Sequence, residues 1–121
     1  MTTIGTDIID VARIKKKQNA IIKRVLTTTE KDYCLLSGTP AQSIAGHFAA
    51  KEAVYKALNL NADNSISWRD IEISHKSSGA PFVILHNNAK SHAENIGLTN
   101  IQLSISHIND YATATAICEW K

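Results

Sequence analysis

Residues 41–58 read AQSIAGHFAAKEAVYKAL, and the run Phe48-Ala49-Ala50-Lys51-Glu52-Ala53-Val54-Tyr55-Lys56-Ala57 inside it decides the fold. At about 100° per residue, Ile44, Phe48, Tyr55 and Leu58 share one face of a helix. Ala45, Ala49, Ala53 and Ala57 cover much of the other. A helix that is apolar nearly all round is buried on most sides. Its small alanines let other backbone approach closely. Pro40 stands just before it and the polar Asn59-Leu60-Asn61 just after.

Outward from this helix the pattern is mixed. Thr3 to Val11 is rich in β-branched residues and predicts a strand. Residues 12–25 predict a basic helix with Ile14, Ile21, Ile22 and Val25 as its apolar stripe. Thr29 to Leu36 predicts a short helix capped by Thr29, with Asp32 at the capping-box position. Asp70–Ser74 and Phe82–Leu85 predict two short strands around the turn Ser77-Ser78-Gly79-Ala80-Pro81. Residues 88–96 predict a helix ended by Gly97. Ile101, Leu103, Ile105 and His107 alternate with polar residues, and Ala112, Ala114 and Ala116 alternate beyond Asn109-Asp110. These two segments predict a hairpin. The whole reads as an α+β domain over residues 1–121, an antiparallel sheet packed against a long buried helix.

Composition narrows the class. The chain has 121 residues, 44% of them hydrophobic and 20% charged, which suits one soluble globular core. Apolar runs are too short for a transmembrane helix. The opening residues lack a basic region followed by an apolar stretch, so a cytoplasmic location is expected. Cys34 and Cys118 form no CxxC pair and are expected to be reduced packing residues. The net charge of +2 conceals a cluster. Arg13, Lys15, Lys16, Lys17, Lys23 and Arg24 have no acid among them, and the rest of the chain is net acidic. Such a patch is either a solvated helix face or a surface for an acidic partner. It lacks interleaved aromatics, which argues against single-stranded nucleic acid.

Three charged residues sit on the apolar helix: Lys51, Glu52 and Lys56. Each needs a partner, a metal or a phosphate if it leaves water. Glu52 and Lys56 are four apart, and the ordinary reading is an exposed helical ion pair. Asp7 is unusual in a strand and follows Gly5, which admits a close neighbour. It is either a turn aspartate or, with Glu52, half of a two-carboxylate site for a hard cation such as Mg²⁺. His107 ends an alternating strand. His47, His75, His86 and His92 complete no metal or nucleophile motif.

In combination these segments resemble the holo-[acyl-carrier-protein] synthases, small 4'-phosphopantetheinyl transferases. Ile4-Gly5-Thr6-Asp7-Ile8-Ile9-Asp10-Val11-Ala12-Arg13-Ile14 is similar to their opening motif and Phe48–Ala57 to their second. Trp68-Arg69-Asp70-Ile71-Glu72-Ile73, Gly79-Ala80-Pro81 and Ser104-Ile105-Ser106-His107 before Tyr111-Ala112 follow in register. The resemblance implies transfer of the 4'-phosphopantetheine arm of coenzyme A to a serine of apo acyl carrier protein. The other product is adenosine 3',5'-bisphosphate, and the role is in fatty acid biosynthesis. It implies Asp7 and Glu52 on Mg²⁺, Lys56 on the leaving phosphate, and Glu52, directly or through a water on the metal, as a candidate base. It places His47, Lys56, Gly79, Pro81 and His107 at the coenzyme, and Arg13, Lys17, Lys23 and Arg24 against the carrier. It also implies a homotrimer with sites between subunits.

The chain departs from that pattern in three places. His47 stands where many members have arginine, Ala80 where many have a basic residue, and Asn59-Leu60-Asn61-Ala62-Asp63 replaces a Gly-Thr-Gly stretch. Two alternatives stand beside the housekeeping enzyme, the first resting on these departures. One is an inactive coenzyme- or carrier-binding protein of the same fold; the other is a transferase for a polyketide or peptide carrier domain. A basic nucleic-acid-binding domain is a third.

Overall fold

The computed structural model describes residues 1–59 and 65–121. The part of the predicted departure at 59–63 that falls on residues 60–63 lies outside the described residues. The chain runs β1 (Thr2–Asp10), α1 (Val11–Lys16), α2 (Gln18–Val25), α3 (Thr28–Leu36) and α4 (Pro40–Ala57). A short 3-10 turn at Trp68–Asp70 leads into β2 (Ile71–His75) and β3 (Pro81–Leu85). Then come α5 (Asn87–Ile96), β4 (Leu98–His107) and β5 (Tyr111–Trp120). One sheet is antiparallel in the order β1-β5-β4, and β2-β3 forms a separate hairpin. This is the expected α+β arrangement.

Helix α4 is the spine. Pro40 occupies its first turn, where a missing N–H costs nothing. Its first half packs Ala41, Ile44 and Ala45 with Val11, Ile14, Val25, Leu26 and Cys34. Its second half packs Ala49, Ala50, Ala53, Val54 and Ala57 with Ile71, Ile73, Ala89 and the inner face of β5. Small residues on both partners bring the helix down onto the sheet. A Cβ on Gly5 would collide with the Ala53 carbonyl oxygen and lie 2.8 Å from the Ala57 nitrogen. The close neighbour that Gly5 admits is therefore α4 backbone. Thr3 Oγ1 reinforces the contact by donating to Ala57 O at 2.5 Å, and Trp120 Nε1 donates to Thr3 Oγ1 at 2.8 Å.

Two local expectations are corrected. The basic helix over 12–25 is broken at Lys17, whose backbone leaves the helical region (φ −124°, ψ 23°). No glycine or proline marks the break. The far end of α2 is held instead by Arg69, which donates to the carbonyls of Leu26 and Lys23. The cap of α3 is Thr27 rather than Thr29, and its capping-box partner is Glu30 rather than Asp32. Glu30 wins because a second, buried partner fixes it.

That partner is Lys51, and both side chains are fully buried, 2.7 Å apart. Lys51 Nζ also donates to Trp68 O and Ile71 O at 2.9 and 2.7 Å, which uses its three protons. Glu30 accepts from Thr27 N at 2.8 Å and Ile73 N at 2.9 Å. Burial lowers the Lys51 pKa, and the Glu30 carboxylate opposes that shift. The pair ties α3, α4 and β2 together. Replacing Lys51 with Met should leave Glu30 charged, buried and unpaired, at a cost of roughly 3–5 kcal/mol in urea unfolding. The exposed Lys31→Met control should change stability by less than about 0.5 kcal/mol. Equal effects would refute the structural role of the pair.

Candidate active site

Asp7 lies on the inward parity of β1 with Thr3, Gly5 and Ile9. Its side chain is only 13% exposed. Because Gly5 sets β1 against the Ala53 turn of α4, Asp7 comes to rest beside Glu52. Lys56 Nζ reaches across to β1, donating to Thr6 O at 2.9 Å and Asp7 Oδ1 at 3.2 Å. The simple Glu52–Lys56 helical pair is thus replaced by a bond from helix to strand.

The two carboxyls act on each other. Burial pushes the Glu52 pKa up to about 7, and the hydrogen-bonding and charge interactions with Asp7 push in the same direction. Lys56 and Arg13 pull it down, but less. Asp7 Oδ2 is buried with no donor facing it. Two facing carboxylate oxygens repel unless a proton or a cation lies between them. This orphaned oxygen and the all-oxygen donor set suit a hard divalent cation. Among the described residues no third histidine, cysteine or acid joins them. A Mg²⁺ site of one or two carboxylates completed by substrate phosphate has that composition.

Beside Glu52 a groove is floored by Ile8, Ile9, Ile14, Ile21 and Phe48, and Arg13 and Lys17 line it as well. Of the basic residues expected to meet a partner, these two approach the carboxyls. Lys23 instead lines a separate groove with Lys31 and Arg69. Arg24 is exposed at the end of α2.

His47, Gly79, Pro81 and His107 line one cavity. The sequence reading missed two of its other walls, Tyr33 and His75, whose rings stack with centroids 4.0 Å apart. A signal existed for His75: it continues the parity of the buried Ile71 and Ile73. His47 is 2% exposed and donates from Nδ1 to Ser43 O at 2.9 Å, and burial lowers its pKa. His107 is exposed, with Nδ1 2.8 Å from Gln42 Oε1. Lys56 does not line this cavity; it stands with Asp7. Within a single chain the histidine cavity and the carboxyl pair are therefore separate.

The family model of the 4'-phosphopantetheinyl transferase superfamily matches residues 3–116. A holo-[acyl-carrier-protein] synthase of Moorella thermoacetica is 43% identical over 122 aligned residues, covering 98% of this chain and 94% of its own. The crystal structure of the Neisseria meningitidis holo-[acyl-carrier-protein] synthase superposes with a TM-score of 0.86 at 31% identity, covering 97% of each chain. The Helicobacter pylori synthase in complex with coenzyme A gives 0.80 at 32% identity, covering 96% of this chain and 99% of that one.

The raised Glu52 pKa has a defined sign. Between the ordinary value of 4.5 and about 7, the folded metal-free protein holds a proton that the unfolded chain releases. Stability contributed by Glu52 is therefore lost as pH rises through that window. His47, held neutral, gives the opposite slope below its ordinary value of 6.5, so the comparison must be with a variant. In chelated buffer, Glu52→Gln should gain stability relative to wild type between about pH 5 and pH 8. Parallel melting curves across that range would contradict the carboxyl coupling.

Proposed function

Because the chain belongs to the 4'-phosphopantetheinyl transferase superfamily, we propose that it transfers 4'-phosphopantetheine from coenzyme A to a serine of apo acyl carrier protein. Holo carrier protein and adenosine 3',5'-bisphosphate are the products. The observation that carries this reading to the level of residues is the convergence of Asp7 and Glu52 around an orphaned buried oxygen. The activity is assigned to one domain over residues 1–121. Supply of holo carrier for fatty acid synthesis in the cytoplasm follows from the same assignment. Among the described residues no helix is long and apolar enough to cross a membrane.

Asp7 and Glu52 would hold Mg²⁺. When bound there, the ion supplies positive charge against the pyrophosphate of coenzyme A. The chain's own residues do the rest. Glu52 is also the candidate to accept the serine proton, directly or through a water. Lys56 is half-exposed and anchored through Thr6 O and Asp7, so its ammonium is held where negative charge accumulates on the leaving phosphate. Serine oxygen attacks the β-phosphorus, the bond to the α-phosphate oxygen breaks, and the bisphosphate leaves. The apolar groove beside Glu52, with Arg13 and Lys17 on it, suits an acidic amphipathic helix of the carrier.

A homotrimer with sites between subunits accounts for two further features. The outer face of β1 exposes Ile4 at 65%, an apolar side chain that another copy would cover. A neighbouring copy would bring its own histidine cavity toward the carboxyl pair, so that one coenzyme could touch both.

Intact mass spectrometry of an apo carrier protein incubated with enzyme, coenzyme A and Mg²⁺ should show gain of one phosphopantetheine. EDTA should abolish the gain. Coenzyme binding without mass gain would favour the inactive homologue. Glu52→Gln should slow transfer by about 100-fold or more. Arg13→Glu should raise the carrier KM by about tenfold and weaken its salt dependence, with the coenzyme KM unmoved. An unchanged carrier KM would reject docking at Arg13.

A further inference from the structure

His47 on α4 and His75 at the end of β2 meet Nε2 to Nε2 at 3.3 Å. Hydrogen-bond bookkeeping determines their charge. His47 Nδ1 faces Ser43 O at 2.9 Å, and a carbonyl only accepts, so this nitrogen carries a proton. His75 Nδ1 faces Gly79 O at 3.2 Å and must carry one too. A third proton is needed between the two Nε2 atoms, or two lone pairs would face each other. Three protons on four ring nitrogens give the pair a single positive charge. Only two nitrogens converge, and among the described residues no group of three metal-ligating side chains forms. A shared proton satisfies both nitrogens.

The surroundings decide where the charge lies. Behind His47 stand Glu30 and Lys51, which cancel as an ion pair. The Cys34 thiol, 3.5 Å from His47 Nδ1, stays neutral because burial pushes its pKa up to about 11. Burial also disfavours charge on His47. His75 is the more exposed ring, stacked on Tyr33, with His107 lining the same cavity from β4.

We infer that the His47–His75 pair is a proton-sharing cation whose positive charge lies beside an anionic group of the coenzyme, a phosphate, in the cavity also lined by Gly79 and His107. This rests on the coenzyme reading given above. His47 is here a positioning residue: its fixed Nε2 lone pair orients His75 and holds the shared proton. The charge that the substitution of histidine for arginine at residue 47 removes is thereby returned by a second ring.

The test is calorimetric titration of the full chain with adenosine 3',5'-bisphosphate. The ligand's own phosphates titrate in the same range, so His75→Gln is compared with wild type at each pH. At about pH 6 the variant should bind roughly tenfold more weakly, as for loss of a nearby positive charge. At about pH 8.5 the two should agree within about twofold. His75→Phe keeps a ring on Tyr33 without nitrogens and should show the same loss, whereas a purely structural role would be rescued. Ring ¹⁵N shifts of the wild type should show both Nδ1 atoms protonated near pH 6. Variants that track wild type at both pH values, or an unprotonated His75 Nδ1 there, would overturn the inference alone. Absence of binding at every pH would overturn the coenzyme reading and this inference together.

Discussion

Gly5 rests on the backbone of α4 with no room for a side chain between them. That contact sets how far strand and helix stand apart, and the proposed chemistry depends on the distance. Register carries the consequence outward: Gly5 pairs with Ala116 and Asp7 with Ala114, so β1 meets the alanine face of β5 as well as the alanine face of α4. Two residues beyond the contact, Asp7 points the same way as Gly5 and lands beside Glu52. A wider separation filled by ordinary side chains would leave each carboxylate to solvent, with little reason for the Glu52 pKa to rise.

The three charges on α4 then take three different roles from one helix. Lys51 is neutralised inside by Glu30, and four backbone groups satisfy the pair, two on each partner, which makes it structural. Glu52 is destabilised as an anion by its neighbour, which prepares it for a proton or a cation. Lys56 is left half in water with one foot on β1. Full satisfaction explains why a buried ion pair is tolerable in a small core, since an unmet charge there costs several kcal/mol. It also holds β2 where its last residue, His75, reaches His47.

Much of this was legible in the residues. The long helix, the first strand, the β4–β5 hairpin and the left-handed Gly97 cap follow from periodicity and turn chemistry that act locally. The convergence of Asp7 on Glu52 was suggested by the oddity of an aspartate in a strand, though only packing against Ala53 realises it. What escaped was decided at long range. Lys17 breaks its helix with no glycine or proline to mark the place, and Arg69, far along the chain, holds the end of the second piece. Thr27 displaces Thr29 as a cap because Glu30 is pulled inward by Lys51. His75 gave no motif, and its partner lies on another element. The separation of the histidine cavity from the carboxyl pair was equally invisible, because spacing along a chain does not tell which distant residues share a cavity.

The central claim is that the Gly5 contact holds the two carboxyls together. The most direct measurement is a carboxyl ¹³C titration of Glu52 in chelated buffer, in wild type and in Gly5→Ala. The account predicts a midpoint near 7 in wild type. It predicts a clear fall toward the ordinary carboxylate value of 4.5 once the added methyl forces β1 away from α4. A Glu52 midpoint that stays where it was in folded Gly5→Ala would contradict it.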